Sequence, residues 1–376
     1  MDFSLDDTQR SIAELAAGVL ARELDADRTA EAYGSELGYS DTAWKALGQA
    51  GLLSLAVPDW LGGEGLGVME TALVLSAVGR HAAPLPALAT LAMGVLPVTR
   101  LGTEEQRAEL LPEVASGARV YTAALREPSI ADPVACRTSA TRNGAELVVS
   151  GTKVGVPHAE SAHRVLLPVR IVGDGRGVLL LDPTADGVSM VRTPSSSGAP
   201  EFTVRLDDVR IPASELLGGG SDGVAVAELS RLAVAGACAS ADGALAATLE
   251  LTAEHLRTRE QFGKPLATFQ AVAQQIAEVY SCARALHLAT SSACWRLGAG
   301  HEDPDDLNVA AYWLTEEVPV AMHTCHHLHG GIGVDISYPM HRYYAVVKDL
   351  GRLLGGTEHR LDRLGLDVAG AEAGQS

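Results

Sequence analysis

Basic residues are scarce in this chain: 29 Lys and Arg stand against 47 Asp and Glu, a formal net charge of −18 over 376 residues. Such a surface repels phosphate backbones and anionic bilayers outside any local patch, so neither nucleic acid nor a membrane is an expected partner. Cysteine is also sparse. Cys136, Cys238, Cys282, Cys294 and Cys325 are odd in number and never form a Cys-x-x-Cys pair. Disulfides and a zinc ribbon are therefore not expected, and the thiols read as reduced, buried, small apolar groups. No long uncharged apolar run signals a membrane span, and Met1 to Asp7 lacks the basic and apolar segments of an export signal. A cytoplasmic location is the expectation.

What is present is enough apolar material, 47% of residues, for two or three packed units. Residues 1–118 read as a helical domain, with apolar residues at helical spacing in Ile12, Leu15, Ala16 and Leu20 and again in Trp44, Leu47 and Leu52. A glycine-rich loop is expected over Pro58 to Gly67 and a helix over Met69 to Arg80. Thr103 followed by Gln106 is a capping-box pattern that opens a further helix. From about Tyr121 β-branched and polar residues alternate. Strands are predicted at Glu146 to Ser150, Arg164 to Ile171, Val178 to Leu181, Val188 to Arg192 and Phe202 to Asp207, with a turn at Asn143-Gly144. Residues 119–220 are thus a middle antiparallel β-domain. Helical texture returns over 221–366, where Gly223 to Arg257 and Leu266 to Leu297 are apolar on most sides, as helices of a four-helix bundle are. Residues 367–376 read as a flexible tail. The fold class is α+β, mainly α.

Several patterns carry little weight. Gly218-Gly219-Gly220-Ser221-Asp222-Gly223 matches Gly-x-Gly-x-x-Gly and overlaps Gly-x-Ser-x-Gly, but Pro212 to Glu215 is loop chemistry where either motif needs a buried strand. A domain linker is the better reading. His323 and His327 share a helix face, yet no acidic residue lies between them and no third ligand is evident, so hydrogen-bonded buried or interface imidazoles are expected instead of a metal. The segment Arg259-Glu260-Gln261-Phe262-Gly263-Lys264-Pro265, with Phe269-Gln270, is different. Arg259 can present a fork to phosphate, Phe262 can cover an apolar ring, and the Gln270 amide can bond a polar edge, although residue chemistry alone equally fits a helix-turn-helix with a surface Arg.

That segment resembles the flavin-adenine signature of acyl-CoA dehydrogenases. Met1-Asp2-Phe3 with Gln9-Arg10, Leu53 to Gly67, Gly102 to Arg107, His329-Gly330-Gly331-Ile332-Gly333 and Tyr338-Pro339 are similar to landmarks of that family, in family order. The resemblance implies a helical N-terminal domain, a middle β-domain and a C-terminal bundle. It also implies α,β-desaturation of an acyl-CoA thioester, in which a carboxylate removes the α-proton, hydride passes to FAD, and an electron-transferring flavoprotein reoxidises the flavin. In the family the Arg matched by Arg259 reaches the FAD pyrophosphate of the neighbouring subunit; Phe262, Gln270, His327 and Gly331 match the other cofactor-contacting positions.

Three departures fall on the chemistry. The family's catalytic Glu is matched by Gly355, and the alternative base position by Ser230, so no catalytic base is expected in this chain. The flavin-pocket motif Thr-Glu-Pro-x-x-Gly-Ser-Asp is matched by Arg126 to Pro133, and the element against the flavin ring by Gly155-Val156-Pro157, where Pro157 offers neither hydroxyl nor N–H. His327 stands in place of a Gln. The neighbour-facing elements are kept while the internal ones are lost, which resembles the base-lacking subunit of heteromeric (α2β2) actinobacterial steroid side-chain acyl-CoA dehydrogenases. A paralogous partner would then supply the Glu and the flavin pocket. The alternatives are a homomeric enzyme with a relocated base, Glu358 or Asp349 being nearest, and a non-catalytic scaffold or thioester-binding protein.

Overall fold

The computed structural model describes residues 4–301 and 305–373. Helix α1 (Asp7–Glu23) opens on Asp6, whose carboxylate accepts the Gln9 N–H while the Gln9 side chain accepts that of Asp6. Ile12, Ala16 and Leu20 are buried as their spacing predicts, whereas Leu15 is 46% exposed. Then come α2 (Ala26–Gly34), α3 (Asp41–Gln49) and α4 (Val68–Arg80), with the expected loop between the last two. Leu88–Val95 winds as a π-helix and runs into α5 (Leu96–Leu101). The capping box of Thr103 and Gln106 is formed and starts α6 (Glu104–Leu110).

Gln106 does more than cap. Its amide nitrogen donates to the Ser214 and Leu216 carbonyls, each at 3.0 Å, and its oxygen accepts the Gly218 N–H at 3.0 Å. The glycine run therefore departs from the free linker expected of it: it is tied to the first helical layer, with Gly218 packed on the Leu101 carbonyl.

The middle sheet has strands β1 (Tyr121–Ala123), β2 (Ser139–Asn143), β3 (Glu146–Pro157), β4 (Arg164–Ile171), β5 (Gly175–Leu181), β6 (Val188–Thr193) and β7 (Glu201–Pro212). The order is β1-β4-β2-β3-β7-β6, with β5 on β4. Pairings are antiparallel except those of β1 and β2 with β4, which are parallel. The β2–β3 turn falls one residue on from the expected pair, at Gly144-Ala145, since Asn143 ends β2 opposite Glu146; Gly144 has φ +63° as a tight hairpin needs. Inside the curl, Leu147, Val149, Leu167, Val169, Leu179 and Val204 are fully buried. Two register shifts bend β3, the second lying between Lys153 and Val156. Lys153 is buried and paired to Glu127 at 2.8 Å, which also accepts the Arg137 and Thr138 N–H groups. The Glu kept from the flavin-pocket motif is thus committed to closing the sheet.

Helix α7 (Val224–Thr258) leads through a small hairpin, β8 (Glu260–Gln261) and β9 (Lys264–Pro265), into α8 (Gln270–Gly298), α9 (Asp305–His329), α10 (Met340–Leu353) and α11 (Gly356–Ala373). The tail expected over 367–376 is helical to Ala373, and 374–376 lie outside the described residues. Among the described residues α7 alone passes as long and apolar enough to cross a bilayer, although charged residues such as Asp242 interrupt it and 78% of its most apolar window is buried within the molecule. It packs on α4 at backbone distance: a Cβ on Gly79 would overlap the Ser240 carbonyl oxygen, and one on Gly243 that of Ser76. Gly236 likewise sits against Ala92, so the small residues of α7 serve packing. All five cysteines are free and buried.

Candidate functional site

Three groups of residues carry the chemistry in question. The first lies at one end of the bundle. Arg259 caps α7, and its carbonyl accepts the Leu266 N–H at 2.8 Å, folding the hairpin back so that Gln270 begins α8 beside it. Phe262 sits at the hairpin tip at φ +53° and is 92% exposed. A large aromatic in a left-handed backbone, facing water, is strained and unburied at once. It touches Phe269 edge-on, and Lys264 lies over that second ring at 4.3 Å. Arg259 is exposed and has no ion-pair partner among the described residues.

The end of α9 meets this group through its histidines. His255, one turn before Arg259, stacks on His329 at 4.5 Å; His329 is buried between the Cys325 carbonyl and the Tyr338 hydroxyl. Burial, above all, lowers the His329 pKa below its usual value. Gly331 follows in an exposed turn with open space around its Cα, and His327 is exposed. The five predicted cofactor contacts, Arg259, Phe262, Gln270, His327 and Gly331, are thus brought to one end of the bundle, and all five face solvent. Of the imidazoles expected to be buried or at an interface, His329 is buried, while His323 and His327 are exposed on this chain.

The second group stands where the resemblance places the flavin ring. Gly155 has φ +63°, and a Cβ there would lie 3.3 Å from Arg352 Nη1, 3.5 Å from Arg126 Nη1 and 3.6 Å from Glu201 Oε2. Arg352 bridges Glu201 at 2.6 Å and Asp349 at 3.1 Å, and Asp349 accepts the Ser196 and Ser197 N–H groups at 2.8 Å each. Glu201 and Asp349 keep the Arg352 guanidinium above its ordinary pKa. Burial alone would raise the Asp349 pKa, but hydrogen bonds from Ser197, Ser196 and Arg352 outweigh it and hold the carboxyl below its usual range. Arg126 Nε and Glu201 Oε2 are buried without partners. Behind them a cavity of about 140 Å³ is walled by Leu85, Leu88, Met93 and Val346 on one side and Glu201, Asp349 and His158 on the other. That volume is well below the ~300 Å³ at which small-molecule pockets begin. The charged cluster and a proline without an N–H do not offer an isoalloxazine the donor and flat apolar wall it would need here.

The third group is the base position. Gly355 has φ +89°, and a Cβ would come within 2.5 Å of the Ala131 Cβ and 2.8 Å of the His359 ring. No side chain fits there as the chain stands. Ser230 lines a separate cavity of about 120 Å³ with Arg231, Asp132, His359, Arg360 and Arg363. Of the two relocated-base candidates, Glu358 is exposed and Asp349 is pinned as an ionised acceptor, the opposite of the raised pKa a base needs. The Arg352–Glu201–Asp349 network was missed in the sequence because its members come from β7 and α10. The Asp349–Arg352 spacing of three on one helix was the available signal.

Comparison with known proteins completes these observations. Residues 6–118 match the family model described as acyl-CoA dehydrogenase, N-terminal domain, and residues 223–365 that described as acyl-CoA dehydrogenase, C-terminal domain. The chain is 44% identical to acyl-CoA dehydrogenase FadE28 of Mycobacterium tuberculosis, over 97% of this chain and 98% of that one. It is 30% identical to FadE27 of the same organism, over 98% and 99%. Among solved structures, a variant of the Tcur3481-Tcur3483 steroid ACAD superposes with a TM-score of 0.92 at 34% identity, over 98% of this chain and 99% of the other. The ChsE4-ChsE5 complex from Mycobacterium tuberculosis superposes with a TM-score of 0.92 at 29% identity and the same coverage.

Proposed function

This chain belongs to the acyl-CoA dehydrogenase family, and from that premise we propose that it is a subunit completing a partner's FAD site instead of housing its own. One observation carries the reading: Arg126, Arg352 and Glu201 crowd the Gly155–Pro157 wall, while Phe262 stands exposed and Arg259 is exposed with no ion-pair partner among the described residues. The partner is a paralogous dehydrogenase subunit, which supplies the flavin pocket and the carboxylate that removes the α-proton of an acyl-CoA. FAD, when bound, supplies the acceptor for the β-hydride, with an electron-transferring flavoprotein as its reoxidant. This chain contributes positioning. Arg259 offsets pyrophosphate charge, Phe262 covers an apolar ring, Gln270 and His327 offer hydrogen bonds, and Gly331 lets backbone approach closely.

The likeness to FadE28 and to two two-component complexes, one of them a steroid ACAD, supports a heteromer acting on a steroid side-chain thioester. A cytoplasmic location goes with that substrate class. A relocated base finds no support in the exposed Glu358 or the pinned Asp349.

The test is a flavin count on the purified chain, expressed alone and then with a neighbouring paralogue. A colourless lone chain and a yellow complex holding one FAD per two chains are expected. Flavin in every lone chain, with acyl-CoA turnover, would overturn the reading, and a stable complex without flavin would favour a scaffold.

A further inference from the structure

The cavity beside Ser230 is lined by cations that the proposed function does not employ. It lies between α7, α9, α11 and the segment at Asp132, and its volume of about 120 Å³ is ample for several waters. Arg360 is 8% exposed. Its Nε donates to the Leu354 carbonyl at 2.8 Å, and its remaining donors have no hydrogen-bond or carboxylate partner among the described residues. The other fully buried cation, Lys153, has Glu127 at 2.8 Å. Burial accordingly lowers the Arg360 pKa to about 10.

One carboxylate, Asp132, shares the cavity and acts on Arg360 through space, but among the described residues no carboxylate forms an ion pair with Arg360. Asp132 lies 3.5 Å from Arg363, and Glu228, 3.7 Å from Arg231, is engaged more closely by Arg100 at 2.7 Å. Three guanidiniums thus line a cavity in a chain of net charge −18, and the most buried of them is unpaired. An uncompensated buried charge is strongly unfavourable, whereas guanidinium forks match the oxygens of a tetrahedral anion.

We propose that this cavity, beside the alternative base position Ser230, binds a free oxyanion of phosphate size held by Arg360 and Arg363. The inference rests on this chain's own residues and stands or falls independently of flavin sharing.

It is tested on the full chain, alone and in complex, by thermal unfolding and ³¹P line broadening with inorganic phosphate against chloride at matched ionic strength. Phosphate is expected to raise the unfolding temperature by about 2–4 °C. Arg360→Met should abolish that response, and Arg363→Gln should weaken apparent phosphate affinity about tenfold, the loss of one charge-assisted contact. Arg363, with its side chain 39% exposed, carries the test if the Arg360 variant fails to fold. An equal response in wild type and variants would mean an adventitious ion only. No response, or a response lost when the partner binds, would assign the cavity to structure or to the partner's side chains.

Discussion

At the scale of single residues, Gly355 shows why the missing base cannot simply be put back. With φ at +89° and Ala131 and His359 beside its Cα, Gly355→Glu strains the backbone and collides with its neighbours. It is expected to destabilise the chain by about 1–3 kcal/mol in denaturant unfolding and to give the lone chain no acyl-CoA turnover. Asp349 makes a second residue-scale prediction. Its folded pKa is depressed, so its contribution to stability is present above the unfolded carboxyl value of about 3.9 and is lost as pH falls through the lower folded value. Asp349→Asn should therefore lower stability at neutral pH and flatten the acid limb of the stability profile; an unchanged limb measured by urea unfolding at successive pH values would contradict this. Arg352→Gln, which leaves Glu201 without its partner, should cost about 1–3 kcal/mol in the same assay. Beyond the substitutions and the Asp349–Arg352 spacing, little of this was legible in the sequence, because the cluster exists only once Arg352 and Asp349 of α10 meet Glu201 at the start of β7 and the Ser196-Ser197 loop before it.

Among elements, the crossing of α4 and α7 holds the helical layers together, and it does so through absent side chains. Gly243→Ala would drive a methyl into the Ser76 carbonyl and should destabilise the protein by about 1–3 kcal/mol or more. Gly18→Ala, on the exposed face of α1 with open space around it, should stabilise by about 0.5–1 kcal/mol. Differential scanning calorimetry on the pair checks the contrast, and equal shifts would mean that the crossing is looser than described. Helices with capping signals, such as α6 at Thr103, and the hairpin turn, to within one residue of Asn143-Gly144, were readable because their determinants are local. Strand β2 escaped notice because its end is exposed and polar, and the reach of β3 to Pro157 was hidden by the bulge that breaks its alternation. The same bulge positions Gly155 beside Arg352.

For the whole molecule, the two ends of the structure tell opposite stories. The internal wall against which a flavin ring would lie is crowded with the charges of Arg126, Arg352 and Glu201, while the bundle end carrying Arg259, Phe262 and Gly331 is exposed. The sequence showed this asymmetry as substitutions; the structure adds that the vacated places have been filled, by Arg352 and Glu201 in one and by Ala131 and His359 in the other. Buried Arg360 was not legible at all, since an Arg in a helix that ends near the surface reads as solvated. The most direct test is the flavin content and FAD affinity of the complex with its paralogue when only this chain carries Arg259→Ala. We predict an intact complex that binds FAD roughly 10–100-fold more weakly, the loss of one charge-assisted phosphate contact made from outside the partner's own pocket. Full flavin occupancy with unchanged affinity would contradict the claim that this subunit completes its neighbour's cofactor site.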